Sequence, residues 1–444
     1  MEILSLIGIF VGLALMIFLT YKGHSIIWVA PLCAFVVVLF ALGAGLGEER
    51  SLLTSYTVDY MTGVGEYFIS WFPVFLLGAI YGAVMNATGA AKALAALIIR
   101  LIGSRFVVLA VLLACMLLTY GGVSLFVVVF IMYPMGCEIY RAANIPRTLL
   151  PSAIAFGSFG ITMTSIPGTP QIQNLIPMEY FGTSATAAPL LGIIASLLVA
   201  IPGYLYLDRQ VRKAKKEGRG FEESSVFNTA EKEAEQVPAW MWIGGLVPLI
   251  AVFVTLNILK WDVVISLIIG ILVCCAFGFK NLKKIPNALT DGAKSSVTAI
   301  LNSACAVGFG TVIKIVPGFA LLTSLLIGKA SSPLSLLLSE SASTAVLSGA
   351  TGSASGGLSI ALATFADQYL QMAGKIGISP EILHRFASIA AGSLDKLPHN
   401  GAVITLLAVS QCTHKQSYRD ILIVSVVIPM AALALLVLVC GLIL

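Results

Sequence analysis

The sequence predicts an all-α polytopic membrane protein, and three observations carry that prediction: the composition, the spacing of the apolar spans and a pattern that repeats in the two halves. Of 444 residues, 58% are hydrophobic and only 11% charged, with a mean hydropathy of +0.98, where a soluble domain carries roughly 25% charged residues. An ionisable side chain in hydrocarbon costs about 2.5 kcal/mol or more, so lipid demands this scarcity. A soluble enzyme is excluded. The net charge of +5 is read as basic loops held on the cytoplasmic side, with no nucleic-acid partner. The eight cysteines lie mostly inside apolar runs, without disulfide or zinc spacing, and read as small packing residues.

Spans of about 20 apolar residues can cross a bilayer. In the first half they fall near 3–20, 26–46, 67–86, 106–136, 148–165 and 187–206. In the second half they fall near 240–258, 262–279, 294–314, 333–349, 357–374, 382–395, 400–412 and 421–443. Several of the latter are too short, or too rich in Gly, Ser and Pro, for ordinary helices, so 11 to 14 segments are predicted. The first span begins at the N-terminus, has no basic run before it and leads directly into a second span; it is read as a membrane helix rather than a cleaved signal. One long stretch is polar: residues 207–238 hold seven basic and seven acidic side chains and suit a solvated linker or short helix rather than a packed domain. The expected organisation is a repeat over 1–206, the linker over 207–238, and a second repeat over 239–444.

Loop charges orient these repeats by the positive-inside rule. The basic run Arg209 to Arg219 places the linker in the cytoplasm. Lys22 follows span one and the acidic Glu48, Glu49, Asp59 and Glu66 follow span two, whereas in the second half Lys280, Lys283 and Lys284 follow the second span. Corresponding spans therefore run in opposite directions, with both termini outside. The last loop agrees, because His414, Lys415 and Arg419 face an uncharged counterpart at 181–187. An offset of 231 pairs Pro167 with Pro398, Gly121 with Gly352, and Ser124 with Ser355.

Those matches fall in four stretches that interrupt the helical pattern: 119–124, 165–174, 348–357 and 393–401. Proline removes a donor and clashes with the preceding turn, and backbone freed at membrane depth survives only against protein, water or ligand. Inverted repeats with broken helices are a common build of secondary transporters. Close helix packing is the plain alternative for Gly121, Gly122 and Gly349, and a simple kink for the Pro167 and Pro398 segments. Asp395 and Lys396 are either a neutralising pair or a cation site beside a contact for an anionic substrate. Glu340, inside a serine-rich span, is a second proton-carrier candidate or a residue near the membrane face. His399 can titrate near neutrality, or be a hydrogen-bonded structural group. No metal-ligand cluster, hydrolytic triad or phosphate loop stands out, so neither an intramembrane enzyme nor an ATP-driven pump is favoured; no cofactor is expected beyond a coupling proton or sodium ion.

The segment Leu394-Asp-Lys-Leu-Pro-His-Asn-Gly-Ala-Val-Ile-Thr-Leu-Leu407, with Ser165-Ile-Pro-Gly-Thr-Pro170 and Tyr81-Gly-Ala-Val-Met-Asn-Ala-Thr-Gly89, resembles the gluconate permease family, nearest its 3-hydroxybutyrate branch, over essentially the whole chain. The resemblance implies an ion transporter superfamily member of the bacterial plasma (inner) membrane. It implies inverted repeats, a dimerising scaffold, and a transport domain with re-entrant hairpins that moves as an elevator. It also implies symport of a small organic monocarboxylate with a cation, usually a proton. On this reading the hairpin tips and helix ends at Gly121, Gly122, Gly168 and Gly356 cradle a carboxylate. Ser124, Ser165, Thr169, Ser353 and Ser355 donate to it; Gln171, Asn174, His399 and Asn400 shape the pocket. Asp395 or Glu340 carries the coupling proton, and Lys396 is an anion contact. Sodium coupling through Ser, Thr and Asn oxygens, and a passive carboxylate channel, are the rival readings.

Overall fold

A computed structural model describes residues 2–46, 50–103, 106–123, 125–222, 240–278, 283–326, 332–398 and 400–444. Two of the candidate residues, Ser124 and His399, lie outside them. Among the described residues the chain is helical and contains no strand.

The first half comprises α1 (Glu2–Tyr21), α2 (Ile26–Gly43), α3 (Leu52–Ala87), α4 (Ala90–Ile102), α5 (Val107–Tyr120), α6 (Leu125–Ala142), α7 (147–162), α8 (Ile172–Phe181) and α9 (Pro189–Lys216). The second comprises α10 (Met241–Ile258), α11 (Val263–Phe277), α12 (Ile285–Ile315), α13 (Gly318–Leu326), α14 (Pro333–Thr351), α15 (Ala354–Ile376), α16 (Pro380–Leu394), α17 (Gly401–Ser410) and α18 (His414–Ile443). Seven of these helices, α1, α2, α3, α9, α10, α12 and α18, are long and apolar enough to cross a membrane. Others are short, as α5, α8 and α17 are, while α14 and α15 run for 19 and 23 residues with more polar side chains. The predicted span 106–136 is two helices, because Gly121 ends α5 and Gly122 takes a left-handed φ of +91° that costs glycine little.

Helix order recurs between the halves, and so do the contacts, with partners exchanged. α1 packs on α13 of the other half and α10 on α4; α2 packs on α12 and α11 on α3; α15 packs on α8 and α6 on α17. Such reciprocal pairing is what a two-fold relation between the halves produces. Two bodies emerge. One gathers α1–α4 with α10–α13 around the long α3–α12 contact, and the other gathers α5–α9 with α14–α18.

Of the two readings the polar stretch allows, the helical one holds at its start, where residues 207–216 are the last turns of α9. Lys and Arg are good helix formers, and Arg212 pairs with Asp208 at 2.6 Å one turn away, so the helix outruns its apolar span. The remainder of the expected linker, 223–238, lies outside the described residues.

Candidate substrate and ion site

Each half carries the same device, a pair of discontinuities tied by one side-chain amide. In the first half α5 stops at Gly121 and α7 gives way to an irregular run from Met163 to Gln171, whose Gly168 has φ +83°. Gln171 donates from Nε2 to the Thr119 carbonyl at 2.7 Å, and Pro170 lies against Gly122. Tyr120 donates to the Pro167 carbonyl at 3.3 Å. In the second half α14 stops at Gly352, φ +61°, and α16 gives way after Leu394. Asn400 donates from Nδ2 to the Gly352 carbonyl at 2.9 Å and to the Asp395 carbonyl at 2.8 Å, while its Oδ1 caps α17 by accepting from the Val403 N–H at 2.9 Å. Ser353 caps α15 by accepting from the Gly356 N–H, and Ser355 reaches Ser303 of α12 at 3.2 Å.

The two devices meet. A Cβ at Gly392 of α16 would fall 2.4 Å from Thr164 Oγ1 at the end of α7; only glycine lets the helices approach this closely. Lys396, fully buried, donates back to the Gly392 carbonyl at that crossing. Its ammonium is 2.8 Å from Asp395 Oδ1. Asp395 and Lys396, which the sequence left open as pair or separate sites, are thus a mutual ion pair.

Several candidates are therefore brought together: Gly121, Gly122, Ser165, Gly168, Thr169 and Gln171 at one break, and Ser353, Ser355, Gly356, Asp395, Lys396 and Asn400 at the other. Thr169 Oγ1 is buried there without a hydrogen-bond partner. Two candidates sit elsewhere. Asn174 is saturated: its Nδ2 serves the Thr169 and Ala185 carbonyls, and its Oδ1 accepts from Arg385 at 3.0 Å with His384 Nε2 at 3.3 Å. It organises the fold behind the break. Glu340 lies on α14 twelve residues before Gly352, about 18 Å along the helix, with both carboxyl oxygens buried and unpartnered.

Arg385 and His384 were missed because residues 382–395 read as an apolar span. Adjacent ionisable side chains inside such a span mark a functional or structural site by their cost alone, and that signal is present in the sequence. The Arg385 guanidinium donates to the Ala187 carbonyl at 2.8 Å and 3.1 Å, and His384 Nδ1 lies 2.6 Å from Thr183 Oγ1, clamping the 182–188 loop of one half to α16 of the other. Asn257, at the end of α10, donates to the Gly168 carbonyl at 2.9 Å; Thr20, at the end of α1, donates to the Ala350 carbonyl at 2.9 Å. These bonds join the two helical bodies beside both breaks. Among the described residues no group of His, Cys, Asp and Glu could hold a metal ion.

A citrate transporter family model, CitMHS, matches residues 13–345, three quarters of the chain. The chain belongs to the citrate transporter family. The expected gluconate permease kinship thereby holds at the level of the ion transporter superfamily. The uncharacterized transporter YxjC of Bacillus subtilis (strain 168) is 37% identical over 98% of both chains. An uncharacterized transporter of Haemophilus influenzae is 26% identical over 90% of this chain and 89% of its own. Among solved structures, the Alcanivorax borkumensis YdaH transporter, described as having an unusual topology, superposes with a TM-score of 0.67 at 17% identity, covering 93% of this chain and 98% of that one. MtrF of Neisseria gonorrhoeae, described within a class of antimetabolite efflux pumps, gives 0.57 at 14% identity over 88% and 85%. At such identities these two matches establish the fold. This member of the family is a multi-span membrane transporter and not an enzyme.

Proposed function

We propose that this transporter is a secondary symporter that moves a small organic monocarboxylate, of the 3-hydroxybutyrate type, together with a proton. The carrying observation is the paired device: two breaks, each pinned by an amide of its own half, on helices that meet at Thr164 and Gly392. α8, α15 and α17 start at these breaks, and helix N-termini present free N–H groups and positive dipole ends to an anion. Both buried cations of the region are already engaged, Lys396 by Asp395 and Arg385 by loop carbonyls and Asn174. That supports a substrate with one negative charge over a tricarboxylate such as citrate, whose further charges would lack partners. Gluconate, another monocarboxylate, remains the alternative substrate.

Glu340 is the proton carrier in this reading. A carboxyl without a partner is inexpensive to bury only as the neutral acid, and Asp395 already has Lys396. Transport runs by an elevator motion of the body containing α5–α9 and α14–α18 against the one built on α3 and α12. The repeats over 1–206 and 239–444 have inverted topology in the bacterial inner membrane, with the linker in the cytoplasm and both termini outside. The scaffold dimerises, and lipid covers its remaining apolar surface.

Uptake of labelled 3-hydroxybutyrate into proteoliposomes tests this under an imposed pH gradient and, separately, a sodium gradient. Accumulation above equilibrium with pH alone supports the reading. Accumulation only with sodium overturns the proton, entry of citrate in its place overturns the substrate, and equilibration without accumulation supports a passive channel.

A further inference from the structure

Helix α14 places side-chain oxygens along its whole length. Ser332 and Ser335 stand at its first turn, where they cap each other reciprocally. Ser339 and Ser343 follow one and two turns on, and Ser343 Oγ lies 2.8 Å from the hydroxyl of the fully buried Tyr369 of α15. Beside them comes Glu340, then Thr344 and Ser348, then the break at Gly352. At 100° per residue, Thr344 and Ser348 lie within a quarter turn of Glu340.

Their bonding sets these hydroxyls apart. A helical Ser or Thr ordinarily satisfies itself on a carbonyl three or four residues back, as Thr20, Ser343 and Thr351 do here. Thr344 and Ser348 do not: their oxygens are buried and unpartnered, as are both oxygens of Glu340. An orphaned buried hydroxyl is destabilising, and two of them following an orphaned carboxyl on successive turns is a cost that packing does not require. On the helices packed against α14, Glu2, Asp367, Lys375, His414, Lys415 and Arg419 are exposed, and His384 lies against Thr183 and Asn174. Glu381 accepts from the Ala188 N–H, Arg385 holds Asn174, and Asp420 accepts from Tyr206. Tyr369 is the titratable group on the adjoining face of α15.

We infer that α14 is a proton path joining its Ser332 end to the break at Gly352 through Glu340. This rests on the proton-symport reading above and adds the route and its residues. Successive groups four residues apart are about 6 Å apart along the axis, which one water with two hydrogen bonds of about 2.8 Å spans. A proton arriving from water at the Ser332 end displaces one from each hydroxyl or bridging water in turn, leaving every oxygen as it was. It ends on the Glu340 carboxylate as the neutral acid. Release runs through Thr344 and Ser348 to water at the break, restoring the carboxylate. Tyr369 is a positioning residue that orients Ser343.

The test compares two readouts on the full-length protein in proteoliposomes, pH-driven accumulation of labelled 3-hydroxybutyrate and counterflow exchange, which needs no net proton transfer. The route predicts that E340Q cuts pH-driven accumulation at least tenfold and counterflow less than threefold. The pair T344V and S348A together slow pH-driven entry about fivefold, T344S recovers most of the rate, and S425A, at a buried unpartnered serine on α18, leaves both readouts alone. Counterflow also reports that each variant is folded. Normal pH-driven entry in E340Q, or in the Thr344 and Ser348 double variant, overturns the path while leaving proton symport standing. Absence of pH-driven accumulation in the unaltered protein overturns both.

Discussion

The two broken-helix segments, 163–171 and 395–400, occupy equivalent places and differ in charge. At an offset of 231 residues Thr164 answers Asp395, Ser165 answers Lys396 and Thr169 answers Asn400. Gln171 pins the first break to Thr119 much as Asn400 pins the second to Gly352. Yet the first break contains no ionisable side chain, and the second buries an ion pair. Geometry thus belongs to both halves, and charge to one. On the proposed reading, the neutral break of hydroxyls and N–H groups accepts the anion without meeting a like charge, and the second half, which also holds Glu340, handles the cation.

The largest way to break this comparison is to unpair the charged break. Asp395→Ala leaves the Lys396 ammonium buried without its partner, and removing one member of a buried pair costs about 3–5 kcal/mol. We expect loss of folded protein, read by thermal stability in detergent, whereas Asp395→Asn with Lys396→Met recovers most of it. Next comes Asn400→Ala, which strands two carbonyls and removes the α17 cap. It should destabilise by about 2 kcal/mol and reduce transport more than Gln171→Ala, which removes one partly exposed bond and should cost about 1 kcal/mol. If the two amide replacements cost the same, the breaks are not unequal in the way proposed. Between them falls Gly168→Ala, which puts a side chain at φ +83° and close to Tyr120 and Asn257. A loss of about 1–2 kcal/mol is expected, with a slower turnover because that segment touches the other helical body.

Much of this was legible in the sequence for local reasons. Pro31, Pro73 and Pro134 sit inside helices, so it is the clustering of proline with glycine and polar residues, at Pro167 to Pro170 and around Pro398, that marks the breaks within a few residues. The class of protein follows from the scarcity of charge. What depended on distant partners was not legible. Asn174 looks like a pocket residue until Arg385 and His384, more than 200 residues away in sequence, are seen to occupy its acceptor. Asp395 and Lys396 could be pair or site, and only side-chain placement distinguishes the two. Glu340 was found as a carboxyl in an apolar span, but its distance from the break depends on where α14 ends. The basic run after residue 206 suits linker or helix equally by composition, and where the helix ends depends on pairs such as Asp208 with Arg212.

The most direct test of the central claim, coupling of one proton to one carboxylate, is the movement of protons themselves. Proteoliposomes at symmetrical pH with the membrane potential clamped to zero, given external 3-hydroxybutyrate, should alkalinise the weakly buffered exterior in proportion to labelled acid entering, without added sodium. Entry of labelled acid with no change in external pH, or entry that appears only when sodium is supplied, would contradict it.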